Sequence, residues 1–232
     1  MTDELFVRFD PELNLYILED SISKYELRYD TTKKENEWSE LLFTIPYYGD
    51  ITMNETRQPI TGFDLSEMPN GFQEEVGATD HVVEVGCGLG EFIHYLSKRE
   101  NAPPSIAIDL ADYNILEKML NYASELENFQ PVINRITVFQ NRITELKTNS
   151  KIRFLNMPLS QVLEQHPEMI NSADIVIDHG GAIFYPHNEP KDVGEGLKQN
   201  SRPYQTIIEL EKKLLKLTGK ILSVDGNNIT HY

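Results

Sequence analysis

Apolar positions follow two different spacings along the 232-residue chain, and the change falls near residue 76. Beyond that point, short apolar runs that predict buried strands alternate with stretches of three- and four-residue spacing that predict helices. The predicted strands lie at 81–86, 105–109, 152–156, 174–178 and 220–225. The predicted helices lie at about 90–99, 112–127, 131–147, 158–165 and 203–217. This alternation predicts an α/β fold with a doubly wound, mostly parallel sheet and right-handed crossovers.

The first 75 residues have a different pattern. Alternating apolar residues predict two strands at 5–9 and 15–18, joined by a turn, and a third strand at 25–29. We predict a short helix around Trp38, Leu41 and Leu42, and the prolines and glycines of 46–75 predict loops. Because the apolar content is thin, we interpret residues 1–75 as a β-rich extension, a lid or dimerisation element, on a domain of residues 76–232. The extension could therefore form the contact of a homodimer, and its role as a lid is the other alternative that stays open.

Charge and composition narrow the choice of partners. The formal net charge is −16, and tight binding to a phosphate backbone needs a local excess of Lys and Arg that no run supplies. Nucleic acid is therefore disfavoured as a partner. The single cysteine, Cys87, excludes an intrachain disulfide and fits a reducing compartment. No apolar run approaches the roughly 18–20 residues that span a bilayer, so we expect a cytoplasmic protein without a membrane partner.

A glycine-rich turn after the first strand of the 76–232 region carries the most information. Gly86, Gly88 and Gly90 follow a β-branched strand and precede a helix, the order of a nucleotide-binding corner. The third glycine comes one position early for the dinucleotide fingerprint G-x-G-x-x-G, and Glu91 stands where its last glycine belongs. A carboxylate there would repel a pyrophosphate, and no Gly-Lys-Ser/Thr follows for a P-loop. The remaining interpretation is a site for a nucleoside without phosphate.

The run Glu84-Val85-Gly86-Cys87-Gly88-Leu89-Gly90 closely resembles motif I, E/D-x-G-x-G-x-G, of the class I S-adenosylmethionine-dependent methyltransferases. The order of the five strands extends this resemblance over roughly residues 76–226. It implies a Rossmann-like core, S-adenosyl-L-methionine as cofactor, and methyl transfer to an O or N atom of a small molecule or peptide. That family has a sixth strand and an antiparallel seventh strand, which the pattern after strand five does not show.

Candidate cofactor-binding residues lie at the ends of the predicted strands. Asp109, 25 positions after Glu84, can accept both ribose hydroxyls, or it could instead cap the helix that starts near Asp112. The resemblance implies that Glu84 orients the glycine loop and holds the methionine amino group. It also implies that Gly86, Gly88 and Gly90, with Cys87 inside the loop, form the backbone cradle. We assign Cys87 no nucleophilic role, because its neighbours supply no base.

The remaining candidates follow strands three and four. Asn156 offers a donor and an acceptor to adenine, and either Met157 or Leu110 could pack on the adenine face. Asp178, which ends strand four, is a further candidate cofactor-binding residue. His179 after it is a candidate general base at the position that the resemblance assigns to the acceptor, and a structural histidine at the strand end is the alternative that stays open. Tyr185 and His187 could line an acceptor pocket that the long loop 186–202 covers, and Trp38, Tyr47 and Tyr48 could close its other side. We assign no metal ligands.

Residues 178–182 contain neither the N/D-P-P-Y/F motif of amino-group methyltransferases of nucleic acids nor a Pro-Cys pair. Both nucleic-acid substrate classes are therefore disfavoured. Three alternatives stay open: a non-catalytic cofactor-binding or scaffold protein with the methyltransferase fold, a nicotinamide-dependent oxidoreductase, and aminopropyl transfer from a decarboxylated cofactor.

Overall fold

The computed structural model describes residues 5–35, 37, 39–46, 57–60, 72–101, 103–178, 202–225 and 228–231. Within these ranges the chain forms two β-sheets, and helices cover both faces of the second one. No helix in the described ranges has the length and apolar character needed to span a membrane.

The first sheet is an antiparallel meander in which each strand pairs with the next one in the chain. Its strands are β1 (Leu5–Asp10), β2 (Leu15–Asp20), β3 (Glu26–Asp30), β4 (Leu41–Pro46) and β5 (Arg57–Ile60). The predicted strands at 5–9, 15–18 and 25–29 are confirmed as β1, β2 and β3. The strand β5 and a short helix, α1 (Phe72–Glu75), interrupt the region that we expected to be loops.

The helix predicted near Leu41 and Leu42 is wrong, because these residues begin β4. Leu41, Phe43 and Ile45 are buried at alternate positions, which is the two-residue period of a strand with one covered face. Trp38, Tyr47 and Tyr48 lie outside the described residues.

The second sheet has the strand order β11-β10-β9-β6-β7-β8. Its strands are β6 (Val82–Val85), β7 (Ser105–Ile108), β8 (Ile152–Leu155), β9 (Ala173–Asp178), β10 (Leu215–Asp225) and β11 (Asn228–His231). Neighbours run parallel except for β10 and β11, which are antiparallel. The five predicted strands and the mostly parallel sheet are thus confirmed. The chain leaves β6 towards β7 on one side and returns to β9 on the other, so the switch point of this doubly wound sheet lies between β6 and β9.

Two details near the end of the chain correct the sequence analysis. The pattern gave no strand after the fifth, whereas β11 adds an antiparallel edge strand after it. The last predicted helix is shorter than expected, because β10 begins at Leu215. Gly219 lies where the β9–β10 register shifts, and a Cβ there would come within 3.0 Å of the Ala173 carbonyl oxygen.

The helices are α2 (Glu91–Ser97), α3 (Tyr113–Glu125), α4 (Ile133–Thr148), α5 (Leu159–Gln165) and α6 (Arg202–Leu214), with 3₁₀ turns at Glu127–Val132 and Pro167–Met169. Alternate residues of the parallel strands bury opposite faces, so Val83 and Val176 pack with α5 and α6, whereas Val82 and Ile177 pack with α2. The first sheet shares a core with α3 and α4, in which the rings of Phe43 and Phe139 stack with centroids 6.2 Å apart. The division at residue 75 stays a prediction.

Candidate functional site

The loop between β6 and α2 depends on three residues with left-handed backbone. Gly86, Gly88 and Gly90 have φ angles of 68°, 53° and 72°. The N–H groups of Gly86 and Cys87 donate to the Ile108 carbonyl oxygen of β7, at 2.9 and 3.1 Å. Side chains with a Cβ disfavour such φ values, so this turn explains why glycine recurs at every second position.

Asp109 joins this loop to the end of β7. Its Oδ2 accepts from the Gly88 N–H, and its Oδ1 accepts from the Ala111 N–H, both at 2.8 Å. Burial raises the pKa of Asp109, although the backbone N–H groups of Ala111, Gly88 and Leu110 oppose the shift. The helix-capping alternative is wrong for Asp109, because Asp112 is the residue that caps α3, accepting from the Asn114 and Ile115 N–H groups.

Asn156 joins the end of β8 to the same turn. Its Nδ2 donates to the carbonyl oxygens of Asp109 and Ala111, at 2.9 and 2.8 Å. Both neighbours are acceptors, so the amide orientation is fixed, and Oδ1 is the atom that this side chain can offer to a ligand. Leu110 is partly buried, and partly buried Met157 packs against the core beneath α5 and α6.

Cys87 is buried inside the loop, with its Sγ 3.8 Å from the Tyr113 hydroxyl oxygen. That hydroxyl donates to the Gly88 carbonyl oxygen. Burial raises the pKa of the Cys87 thiol well above its ordinary value, and nearby Asp109 and Glu84 add to the shift. The thiol is therefore neutral at working pH, consistent with a packing role. Tyr113 holds the loop from α3, and the sequence analysis did not single it out.

Several buried carboxyl groups lie next to the glycine loop between β6 and α2. Glu84 is 1% exposed, and its Oε2 accepts from the Ile93 N–H at 3.2 Å. Burial raises the pKa of Glu84 well above its ordinary value, with further contributions from Glu91, Asp109 and Asp178. Glu91 is buried and lies 3.5 Å from the guanidinium of Arg142, Oε1 to Nη1. This end of the sheet is thus acidic, and residues 84–92 contain no Lys or Arg.

A pair of buried carboxyl groups, Asp178 and Glu211, lies at the end of β9. Asp178 and Glu211 of α6 are both fully buried. Burial raises the pKa of Glu211 well above its ordinary value, and Asp178 raises it further through its charge and a side-chain hydrogen bond. Two buried carboxyl groups that interact in this way cannot both ionise readily, because each negative charge disfavours the other. A Glu among the apolar residues Ile208 and Leu214 of α6 was the available sequence signal for this pair. His179, Tyr185, His187 and the loop 186–201 lie outside the described residues.

No family profile matches this chain, and no curated protein matches it significantly. Solved structures similar to it include a putative S-adenosyl-L-methionine-dependent methyltransferase from Methanococcus maripaludis, 16% identical with a TM-score of 0.37 over 66% of this chain and 51% of that one. A precorrin 8w decarboxylase from Methanobacterium thermoautotrophicum is 19% identical, with a TM-score of 0.36 over 64% of this chain and 55% of that one. A spermidine synthase in complex with the transition state analogue AdoDATO is 9% identical, with a TM-score of 0.46 over 95% of this chain and 57% of that one. The aligned region thus spans about half the length of each of these proteins.

Proposed function

We propose that this chain binds S-adenosyl-L-methionine at the β6–α2 corner and transfers its methyl group to an O or N atom of a small molecule or peptide. The observation that supports the proposal is the joining of three strand ends around one glycine loop. Asp109 connects the loop to β7, and Asn156 connects β8 to the same turn. Ligands of doubly wound sheets bind outside the carboxyl ends of the strands, next to the switch point, and the glycine loop after β6 lies there.

The charges of the site favour a cationic nucleoside. Glu84, Asp109 and Asp178 interact electrostatically at the carboxyl edge of the sheet. A sulfonium or ammonium group at this edge would favour the ionised carboxylates and lower their raised pKa values, whereas a pyrophosphate would add to their mutual repulsion. When bound, S-adenosyl-L-methionine supplies a methyl group already activated by its positive sulfur, so the protein has mainly to align the acceptor with it.

Each residue then has a specific task. Asp109 still has lone pairs beyond those that the two N–H groups use, and it would accept from the ribose hydroxyls. Asn156 would accept from the adenine amino group through Oδ1, with Leu110 or Met157 against the ring face. Glu84 would orient the loop and hold the methionine amino group, and Gly86, Cys87, Gly88 and Gly90 would provide the backbone cradle. The end of β9 at Asp178 would border the cofactor and the acceptor, and His179 after it would act as general base for an acceptor that must lose a proton.

Calorimetry with S-adenosyl-L-methionine and its demethylated product tests binding, with NAD as the control ligand. We expect saturable binding of the first two and none of NAD. Folded protein that gives no binding heat up to millimolar S-adenosyl-L-methionine would overturn the proposal.

Turnover needs a separate assay, with a labelled methyl group and pools of small molecules and peptides. Label in an O- or N-methylated product would support the proposal that the chain is a methyltransferase. Cofactor binding without transfer to any acceptor would instead favour the non-catalytic binding or scaffold protein.

A further inference from the structure

The turn between β2 and β3 reaches the proposed nucleoside site from the first sheet. Tyr25 lies immediately before β3 and is 5% exposed. Its hydroxyl oxygen accepts from the Asp112 N–H at 3.0 Å. Asp112 caps α3 and lies one residue after Ala111, whose N–H and carbonyl contact Asp109 and Asn156. A residue of the N-terminal extension thus contacts the turn that carries Asp109, the residue proposed to bind the ribose.

The β2–β3 turn is built to hold Tyr25 in place. Asp20 Oδ1 accepts from the Ser23 N–H at 2.8 Å, from its hydroxyl at 2.9 Å and from the Ile22 N–H at 3.2 Å. The Ser23 hydroxyl oxygen in turn accepts from the Tyr25 N–H at 3.2 Å. Burial of Asp20 opposes its ionisation, but the Ser23 and Ile22 hydrogen bonds outweigh burial and lower the pKa of this carboxyl. The turn is therefore anchored by an ionised side chain at neutral pH.

A second contact ties the same turn to α3. Lys118 Nζ of α3 lies 3.8 Å from Asp20 Oδ2. The turn thus meets α3 at its N-terminus through Tyr25 and further along the helix through Lys118. Two separated contacts fix an orientation that a single hydrogen bond would leave free to rotate.

We propose that Tyr25 is a positioning residue for the nucleoside site, through which the first sheet sets the position of the turn 109–112. This inference rests on the proposed function. Asp109 and Asn156 fix the turn from within the second sheet, and Tyr25 fixes it from outside that sheet. The N-terminal extension then helps to position the binding site and is not only a lid over it. Movement of Asp112 would shift Asp109, because only two residues separate them.

The test is Tyr25→Phe, which removes one hydroxyl and keeps the ring in its buried place. The variant leaves the Asp112 N–H without this acceptor, so we expect the Kd for S-adenosylhomocysteine to rise about three- to tenfold. Tyr29→Phe is the matched control, because that ring lies on β3 and packs 6.2 Å from Phe129, away from the 109–112 turn. Its Kd should equal that of the wild type.

A double-mutant cycle separates positioning from a general loss of stability. If Tyr25 acts through Asp109, then Tyr25→Phe should change the Kd much less in an Asp109→Ala background than in the wild type. Ser23→Ala, which loosens the turn and keeps the tyrosine, should raise the Kd in the same direction by a smaller factor, and it serves as the test should Tyr25→Phe not fold.

The outcomes distinguish the two proposals. A wild-type protein that does not bind S-adenosylhomocysteine overturns the proposed function and this inference with it. A wild-type protein that binds, with an unchanged Kd in Tyr25→Phe or equal Kd changes in both Asp109 backgrounds, overturns the inference alone.

Discussion

Replacement of Gly90 by alanine tests the packing of the glycine loop directly. Gly90 has a φ of 72°, and a Cβ at this position would lie 2.6 Å from Leu146 Cδ2 and 3.1 Å from Leu146 Cγ. Leu146 is 2% exposed on α4 and belongs to the largest buried cluster, so its side chain cannot swing into solvent. Gly90→Ala therefore combines an unfavourable backbone conformation with an overpacked core.

The two costs can be estimated separately. A residue with a Cβ in the left-handed region costs roughly 1–2 kcal/mol, and an extra methyl group in a packed core costs about 1–3 kcal/mol. We therefore expect Gly90→Ala to lower the free energy of unfolding by about 2–5 kcal/mol. In a protein of this size each kcal/mol shifts Tm by about 2–4 °C, so the melting temperature should fall by roughly 4–20 °C.

Urea unfolding of Gly90→Ala, Leu146→Ala and the double variant separates the overpacking from the backbone cost. Leu146→Ala removes the atoms that meet the new Cβ, so the double variant should be more stable than the sum of the single changes by about 1–3 kcal/mol. Gly77→Ala is the control, because Gly77 has no left-handed φ and the atoms nearest to its Cβ belong to the Asp80 side chain, at 3.1–3.2 Å. A Gly90→Ala variant as stable as this control, or an additive cycle, would refute the reasoning.

Three further predictions concern Asp109, Asn156 and Glu211. Asp109→Ala should weaken S-adenosylhomocysteine binding by about 1–3 kcal/mol in calorimetry through loss of a charged acceptor, and an unchanged affinity would show that Asp109 is not the ribose ligand. Wild-type protein should bind S-adenosylhomocysteine more tightly than its 6-oxo inosine analogue, because Asn156 Oδ1 needs the donor that the adenine amino group supplies. Asn156→Ala should bind the two ligands with similar affinity. The same ratio of the two Kd values in both proteins would contradict the assignment of Asn156. The raised pKa of Glu211 means that the folded protein holds a proton that the unfolded chain releases near the ordinary value of 4.5. Wild-type stability should therefore fall as pH rises above that value. In urea titrations Glu211→Gln should be the more stable protein at pH 8, with the difference in unfolding free energy closing towards pH 4. A difference that does not change with pH would argue against the raised pKa of Glu211.

The parallel sheet could be predicted because each of its strands is a short buried run between turn signals. Val82–Val85 and Ala173–Asp178 are apolar and buried along most of their length, and such runs need no knowledge of their neighbours. The strand β4 was missed because Leu41 and Leu42 are adjacent, which resembles a helical face, whereas only Leu41, Phe43 and Ile45 are deeply buried on the side facing α4. The pattern of β4 becomes clear only when its partner β3 is known.

The site was predictable in its residues but not in its connections. Gly86, Asp109 and Asn156 stand at strand ends, and a sheet brings strand ends together whatever the sequence distance between them. The Tyr25–Asp112 hydrogen bond spans 87 positions and joins the turn before β3 to the N-terminus of α3. The roles of Tyr113 and Glu211 likewise depend on distant partners. Tyr113 contacts the glycine loop, and Glu211 interacts with Asp178. No local pattern encodes such pairings, because they depend on how the first sheet packs on α3 and α4 and on how α6 packs on the second sheet.

A ligand role and a structural role of Asp109 do not exclude each other, as its contacts show. The carboxylate is held by the N–H groups of Gly88 and Ala111, so its position is fixed before any ligand arrives. A carboxylate has about four lone-pair directions, and two N–H bonds leave some of them for hydroxyl groups. A preorganised acceptor loses little conformational entropy on binding, which increases affinity without adding contacts. The structural bonds of Asp109 thus support its proposed role, and a variant that keeps the loop fold while removing this carboxylate is the way to separate them.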